Sequence, residues 1–389
     1  MVNFEFQNAT RIVFGKDADQ GIGKRIKQYS SNIMFVHYGD GLIEKLGIYD
    51  KVCNELKQEG ITYTELTGIT PSPLLSKAQE GIDICREKNI DFLLAIGGGS
   101  VMDTAKVIAA GVCYDGDVWD YFDNKAGLVE KALPVGVFVT YPATGSETNT
   151  GAVVTKDEGM YKRFIDSNAL RPVFAILNPE YTYDLPPYLT ACGINDMLGH
   201  ALERYFSNEK ATDLSDRMGE AVMRSIINSG REVMAKPHDY DARAEIMYAG
   251  LIANNGYISN GKVCGWESHK IAHELTSLYG IAHGATLSII TPAWMKYVYK
   301  VNLNLFVQLA IRVFDVDIRF DDFDAIALEG IRRLEEYTKE IGLPTRFSDV
   351  GLDGKDIELM AEKAVSMGNI PGMMELTKED VMKIYELAL

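Results

Sequence analysis

Along the first half of the chain, short apolar runs alternate with amphipathic stretches. Residues 32–38 (NIMFVHY) read as a buried strand, 42–59 as a helix, 62–66 as a second strand and 74–88 as a helix. Residues 91–96 (DFLLAI) are another buried strand, a helix starts near Ser100, and strands follow at 134–140 and 172–177. Strand and helix alternating at this interval predict βαβ units and a parallel sheet. A turn-rich stretch from 178 to 187 ends this pattern. Helix-period segments follow at about 188–207, 211–233, 240–258, 263–279, 285–299, 302–313, 321–341, 355–366 and 378–387. The expected fold class is therefore α/β, with a parallel-sheet domain over 1–187 and an all-helical domain over 188–389.

A chain of 389 residues suits two domains, each with its own core. A net charge of −16 argues against nucleic acid or an anionic membrane as a partner. The opening MVNFEFQNATRIVFG has neither the basic nor the apolar region of a signal peptide, and no apolar run approaches the ~20 residues that span a bilayer. Cys53, Cys85, Cys113, Cys192 and Cys264 are odd in number and contain no CxxC. That usage suits a reducing compartment, so a cytoplasmic location is expected.

Histidine changes the picture most. The chain has six, and four of them cluster as Asp196-Met-Leu-Gly-His200, His269-Lys-Ile-Ala-His273 and, just beyond Gly280, His283. Residues four apart share a helix face, so each pair can point at one spot. One carboxylate with several imidazoles suits a divalent ion, left open for substrate. The spacing alone does not decide which histidine stays outside such a set. Trp266, Cys264 and Tyr257 nearby suggest an apolar pocket, or equally a piece of core.

Two loops suit a phosphate-bearing ligand. Gly97-Gly98-Gly99-Ser100 follows the DFLLAI strand and opens a helix containing Asp103 and Lys106. Such a turn lets backbone approach a pyrophosphate, and the helix start supplies N–H groups and partial positive charge. Neither GxGxxG nor the Walker pattern is present. The 134–140 strand leads into Tyr141-Pro142-Ala143-Thr144-Gly145-Ser146-Glu147-Thr148-Asn149, dense in hydroxyls. Two such loops after neighbouring strands place a dinucleotide at the carboxyl edge of a Rossmann-like sheet. Asp40, in Gly39-Asp40-Gly41 after the first strand, can bind ribose hydroxyls and repel a 2′-phosphate, which favours NAD over NADP. It is also an ordinary Asp-Gly turn residue.

Together these motifs resemble the iron-containing (group III) alcohol dehydrogenases, most closely the butanol-dehydrogenase-like NAD(P)H-dependent aldehyde reductases. The resemblance runs through GGGSVMDTAK, YPATGSETN, GINDMLGH, HKIAH and GIAHG and covers essentially the whole chain. It implies the dehydroquinate-synthase-like architecture of that family, with Asp196, His200, His269 and His283 as metal ligands in the helical domain. His273 is left as an unligated proton relay and catalytic residue. It implies cofactor contacts at Gly98, Gly99 and Ser100 in the glycine run and at Asp103 in the helix after it, at Thr140, Thr144 and Asn149 around ribose and nicotinamide, at Lys162, and at Ser72 near the adenine. Fe²⁺ is the family metal, with Zn²⁺ next, and a homodimer is the family assembly. NADPH-using relatives carry Gly-Gly-Gly-Ser-x-Lys after the first strand, where this chain reads Gly39-Asp40-Gly41-Leu42-Ile43-Glu44. That departure points the same way as Asp40, towards NADH.

The expected reaction is reversible hydride transfer between NAD(H) and a primary alcohol or aldehyde such as butanol or butyraldehyde, the ion polarising the substrate oxygen. A glycerol dehydrogenase is a close alternative in chemistry. A dehydroquinate-synthase-like enzyme acting on a sugar phosphate would need clustered cations, and Arg204, Lys210, Arg217, Arg224, Arg231 and Lys262 are scattered. A purely structural ion is the non-enzyme reading, although structural sites favour thiolates and this set has none.

Overall fold

The structure, a computed structural model, describes residues 1–319 and 322–389. These form two compact units: Gln7–Asp184, and Leu185–Leu389 together with Met1–Phe6.

The first unit carries β1 (Arg11–Phe14), α1 (Ile22–Lys27), β2 (Asn32–His37), α2 (Leu42–Lys45), α3 (Ile48–Gln58), β3 (Thr62–Leu66), α4 (Leu75–Lys88) and β4 (Phe92–Gly97). It continues with α5 (Gly99–Val112), α6 (Trp119–Phe122), β5 (Val135–Val139), β6 (Gly151–Lys156), β7 (Tyr161–Asp166) and β8 (Phe174–Leu177). Six strands form one sheet in the order β1-β8-β5-β4-β2-β3, every pair parallel, and β6 with β7 makes a separate antiparallel hairpin. The central strands are buried along nearly their whole length, because helices cover both faces of a parallel sheet. Their apolar runs are therefore unbroken.

Register puts the strand ends level. His37 pairs with Ile96, Gly97 with Val139, and Val139 with Leu177. From β2 the chain steps outward to β3, then returns across β2 to β4 and onward to β5. The order thus reverses between β2 and β4, and their carboxyl ends are the crevice where such sheets bind ligands.

Three local features depart from the sequence expectation. The edge strand β1 and the hairpin β6–β7 were not anticipated; β1 is only four residues long and mostly exposed. The helix expected over 42–59 is broken by Gly47, whose φ of 69° takes it out of the helical region.

The second unit is helical: α7 (Pro187–Tyr205), α8 (Asp213–Ala235), α9 (Tyr240–Ala253), α10 (Glu267–Tyr279), α11 (His283–Val298), α12 (Leu303–Arg312), α13 (Phe323–Glu340), α14 (Ile357–Ala364) and α15 (Lys378–Glu386). The expected start of the 321–341 helix lies outside the described residues. Among those described, no helix is long and apolar enough to cross a membrane, and the five cysteines are free thiols.

Here α7 and α11 are locked by direct backbone contact. A Cβ on Gly284 would lie 2.0 Å from the Cys192 carbonyl oxygen, and Asn195 donates its Nδ2 to the Gly284 carbonyl at 2.8 Å. Gly219, within α8, is different: a Cβ there would meet only Tyr205 at an ordinary 3.5 Å. Alanine outranks glycine in a helix by about 0.8–1.0 kcal/mol. Gly219→Ala should therefore stabilise the protein by about that amount. Gly284→Ala should lose the same gain to a clash that no rotamer relieves, for a net loss of about 1–3 kcal/mol. Melting temperatures of the two variants, moving in opposite directions, check the difference.

Candidate metal centre and cofactor loops

Three helices of the second unit bring the candidate ligands together. α7 starts with Pro187 in its first turn, where the missing N–H costs nothing, and it presents Asp196 and His200 one turn apart. Gly280, with φ 68°, ends α10 in the left-handed conformation. Three residues later His283 opens α11. The Gly284–Cys192 contact sets that helix start against α7, one turn from Asp196.

The Nε2 atoms of His200, His269 and His283 lie 3.9, 4.0 and 3.8 Å from Asp196 Oδ1. These separations are too long for hydrogen bonds. Ligands at about 2.1 Å from one ion stand about 3.4 Å apart at the tetrahedral angle, so the observed spacing is slightly wider than a closed shell. Atoms of Asp196, His200 and His269 fall within 4.8 Å of one another and all three residues are buried. His283 joins from the Asp196 side, and the ring of His273 sits against it with centroids 5.0 Å apart.

Glu203, one turn beyond His200, accepts from His269 Nδ1 at 3.2 Å, from the His269 backbone N–H at 3.0 Å and from Ser268 Oγ at 2.7 Å. Burial opposes the Glu203 carboxylate, but these bonds and the His269 ring hold it below its usual range. The acceptor at Nδ1 assigns the proton there and turns the Nε2 lone pair towards Asp196. That buried Nε2 has no hydrogen-bond partner among the described residues. Burial, then the neighbouring His269, Arg204 and His273, push the His200 pKa well below the usual value, so its imidazole is neutral. Imidazole nitrogens converging on a buried carboxylate fit a divalent ion.

Trp266, the N-cap of α10, has φ 59°, an uncommon value for a bulky residue. Its ring stands edge-on to His269 at 5.2 Å and to His200 at 5.9 Å, with the Arg204 guanidinium 5.0 Å over its face. Trp266 thus supports the cluster, and Cys264 is half-buried nearby in sequence, whereas Tyr257 is exposed and packs on Phe6.

In the first unit, Gly98 is extended and caps α5, which begins at Gly99. A Cβ on Gly98 would come within 3.0 Å of the Tyr38 hydroxyl, and one on Gly99 within 2.4 Å of Thr144 Cγ2. Glycine here lets the 141–149 loop close against the glycine turn. Ser100 Oγ donates to the Pro71 carbonyl at 2.6 Å, and Ser72 Oγ lies 3.0 Å from Thr155 Oγ1. Asp40 is exposed and accepts from the Leu42 N–H at 3.0 Å, an Asx turn at the end of β2. Thr140 is buried, and its Oγ1 has no hydrogen-bond partner among the described residues. Thr144 Oγ1 accepts from the Ser146 N–H at 3.2 Å.

Asp103 and Asn149 face inward. Asp103 accepts from Ser146 Oγ at 2.6 Å and from the Val153 N–H at 3.0 Å. Asn149 Oδ1 accepts from Lys106 Nζ at 2.8 Å and from the Gly151 N–H at 3.0 Å. Lys162, half-buried on β7, contributes positive charge near Asp103. Tyr38, whose hydroxyl is bonded to the Gly98 backbone and Ser100 while burial holds its pKa up at about 12, was not anticipated. Neither was Glu203, which lies three residues after His200 on the same helix face.

Comparison with known proteins places the chain in a family. Residues 9–179 match the family described as iron-containing alcohol dehydrogenase, and residues 190–389 its C-terminal region. The chain is 40% identical over 392 residues to the probable NADH-dependent butanol dehydrogenase 2 of Bacillus subtilis (strain 168), spanning 100% of both. It is 34% identical over 392 residues to the NADPH-dependent aldehyde reductase of Escherichia coli (strain K12), again spanning 100% of both. The crystal structure of NADH-dependent butanol dehydrogenase A from Thermotoga maritima matches with a TM-score of 0.95 at 36% identity, covering 100% of this chain and 99% of that one. With both regions matched in order and relatives aligned end to end, the chain belongs to the iron-containing alcohol dehydrogenase family and is an oxidoreductase interconverting alcohols and aldehydes.

Proposed function

We propose that the protein is a metal-dependent alcohol dehydrogenase/aldehyde reductase that transfers hydride between NAD(H) and a short primary alcohol or aldehyde of the butanol/butyraldehyde type. One observation carries the reading: imidazole nitrogens from three helices within 4.0 Å of one buried carboxylate oxygen. The names of the relatives support the substrate class and the nicotinamide cofactor.

In this reading Asp196, His200, His269 and His283 hold one divalent ion, Fe²⁺ first and Zn²⁺ next. Bound there, the ion supplies Lewis acidity towards the substrate oxygen. Glu203 fixes the His269 tautomer, and Trp266 walls the two imidazoles from one side. His273, against the His283 ring, takes up or returns the substrate proton at a ring nitrogen. In the other unit, the Gly98–Gly99–Ser100 turn and the first turn of α5 bind the pyrophosphate. Thr140, Thr144, Asn149 and Lys162 serve the nicotinamide side, and Ser72 the adenine side. The exposed Asp40 carboxylate accepts from ribose hydroxyls and repels a 2′-phosphate, giving preference for NADH.

Chelator-stripped protein reconstituted with Fe²⁺ or Zn²⁺ should oxidise NADH with butyraldehyde, and do so faster than NADPH. Absence of turnover with either ion would sink the reading, and equal rates with NADPH would remove the Asp40 argument. His273→Ala should lower turnover by about 10²–10⁴-fold while retaining about one ion per chain; loss of the ion would show that the ligand set is misassigned. Glu203→Gln should weaken Fe²⁺ or Zn²⁺ binding by about 10–100-fold, measured by competition with a chelator.

A further inference from the structure

A lysine with no solvent exposure is costly unless each of its donors is used. Lys106, in the second turn of α5, uses three: to the Asn149 carbonyl at 3.2 Å, to Asn149 Oδ1 at 2.8 Å and to the Gly151 carbonyl at 2.9 Å. Burial lowers its pKa to about 8, with Asp103 and Glu147 opposing the shift, so the ammonium stays charged at neutral pH. Asp103, three residues earlier on the same face, takes Ser146 Oγ and the Val153 N–H. The helix that opens at the glycine turn therefore holds the 141–149 loop from beneath with its next turn.

The consequence for Asn149 is specific. Its Oδ1 accepts from both Lys106 and the Gly151 N–H. The amide cannot flip without placing its NH₂ against an ammonium and an N–H donor. Its Nδ2 is therefore kept on the loop side, 3.5 Å from the Thr144 carbonyl.

We propose that Lys106 is a positioning residue for the nicotinamide end of the cofactor, setting the orientation of the Asn149 amide and tying its loop to the glycine turn. This rests on the reading above, that this unit binds NAD(H) with Asn149 on the nicotinamide side.

The test is a double-mutant cycle on metal-loaded protein, with NADH and ADP binding measured by calorimetry for wild type, Asn149→Ala, Lys106→Met and the double variant. Each single variant should weaken NADH by about tenfold, and the double should be no more than about threefold weaker than either single, as for two residues acting as one unit. ADP, which lacks the nicotinamide riboside, should bind all four proteins within about twofold. If Asn149→Ala leaves NADH affinity unchanged, Asn149 is not a cofactor contact and the underlying reading fails there. If Asn149→Ala weakens NADH but Lys106→Met does not, or if the two effects multiply, the inference is overturned. Equal loss of NADH and ADP in Lys106→Met would also overturn it, leaving the lysine a general support. Lys106→Gln, which keeps a donor without the charge, carries the same cycle should Lys106→Met fail to fold.

Discussion

The helical unit is organised around the burial of one carboxylate. Asp196 is 3% exposed, and taking an ionised carboxylate out of water costs several kcal/mol unless nearby charge or hydrogen bonds repay it. The imidazoles placed around Oδ1 stand beyond hydrogen-bonding range, and His200 is held neutral by its surroundings. A divalent ion at the centre would repay the burial better than any protonated histidine. The backbone is shaped to the same end, since Gly284 gives up a side chain to bring α11 onto α7 and Trp266 adopts a left-handed conformation where α10 begins.

A parallel economy operates in the sheet unit. The reversal between β2 and β4 opens a crevice at the strand ends, and a single helix serves both loops that follow β4 and β5. Its first turn is the glycine run, and its second holds the neighbouring loop through Asp103 and Lys106. A motif that reads as a glycine turn followed by a helix therefore also anchors the loop that follows β5. Asp103 and Lys106 lie three and six residues after Ser100, on the turn of α5 that follows the glycine run.

What could be read from sequence follows from which physical signals are local. The central strands were legible because burial on both faces leaves unbroken apolar runs, whereas β1 is a short exposed edge with no such run. The histidine set was legible because i, i+4 pairing is itself a helix-face statement. Glu203 and Lys106 were not. A glutamate or lysine within a helix reads as a solvated side chain, and only the fold shows that both are buried, Lys106 bonded to Asn149 and Gly151 and Glu203 to Ser268 and His269. Likewise the 263–279 segment looked continuous, but Trp266 delays the helix to Glu267. For Glu203 and Lys106, tertiary contacts decided what the local pattern does not show.

The same commitments bear on substrate class. A sugar phosphate at the histidine cluster would need cations within reach. Arg204 is bonded to Asn254 and Ser259 while covering Trp266, and Lys262 is buried against Asp216 and the Tyr205 carbonyl. Arg217 pairs with Asp213 and Glu220, Arg224 with Asp315, and Arg231 with Glu340. Lys270, beside Glu203 and Glu267, is pushed below the usual lysine range by burial. Recruiting any of these would break an existing bond or leave a carboxylate uncompensated, a cost of about 1–3 kcal/mol or more for each group. An alcohol or aldehyde oxygen makes no such demand. It needs one electrophilic centre and an apolar wall, which fits a cluster built from imidazoles, one carboxylate and an indole edge.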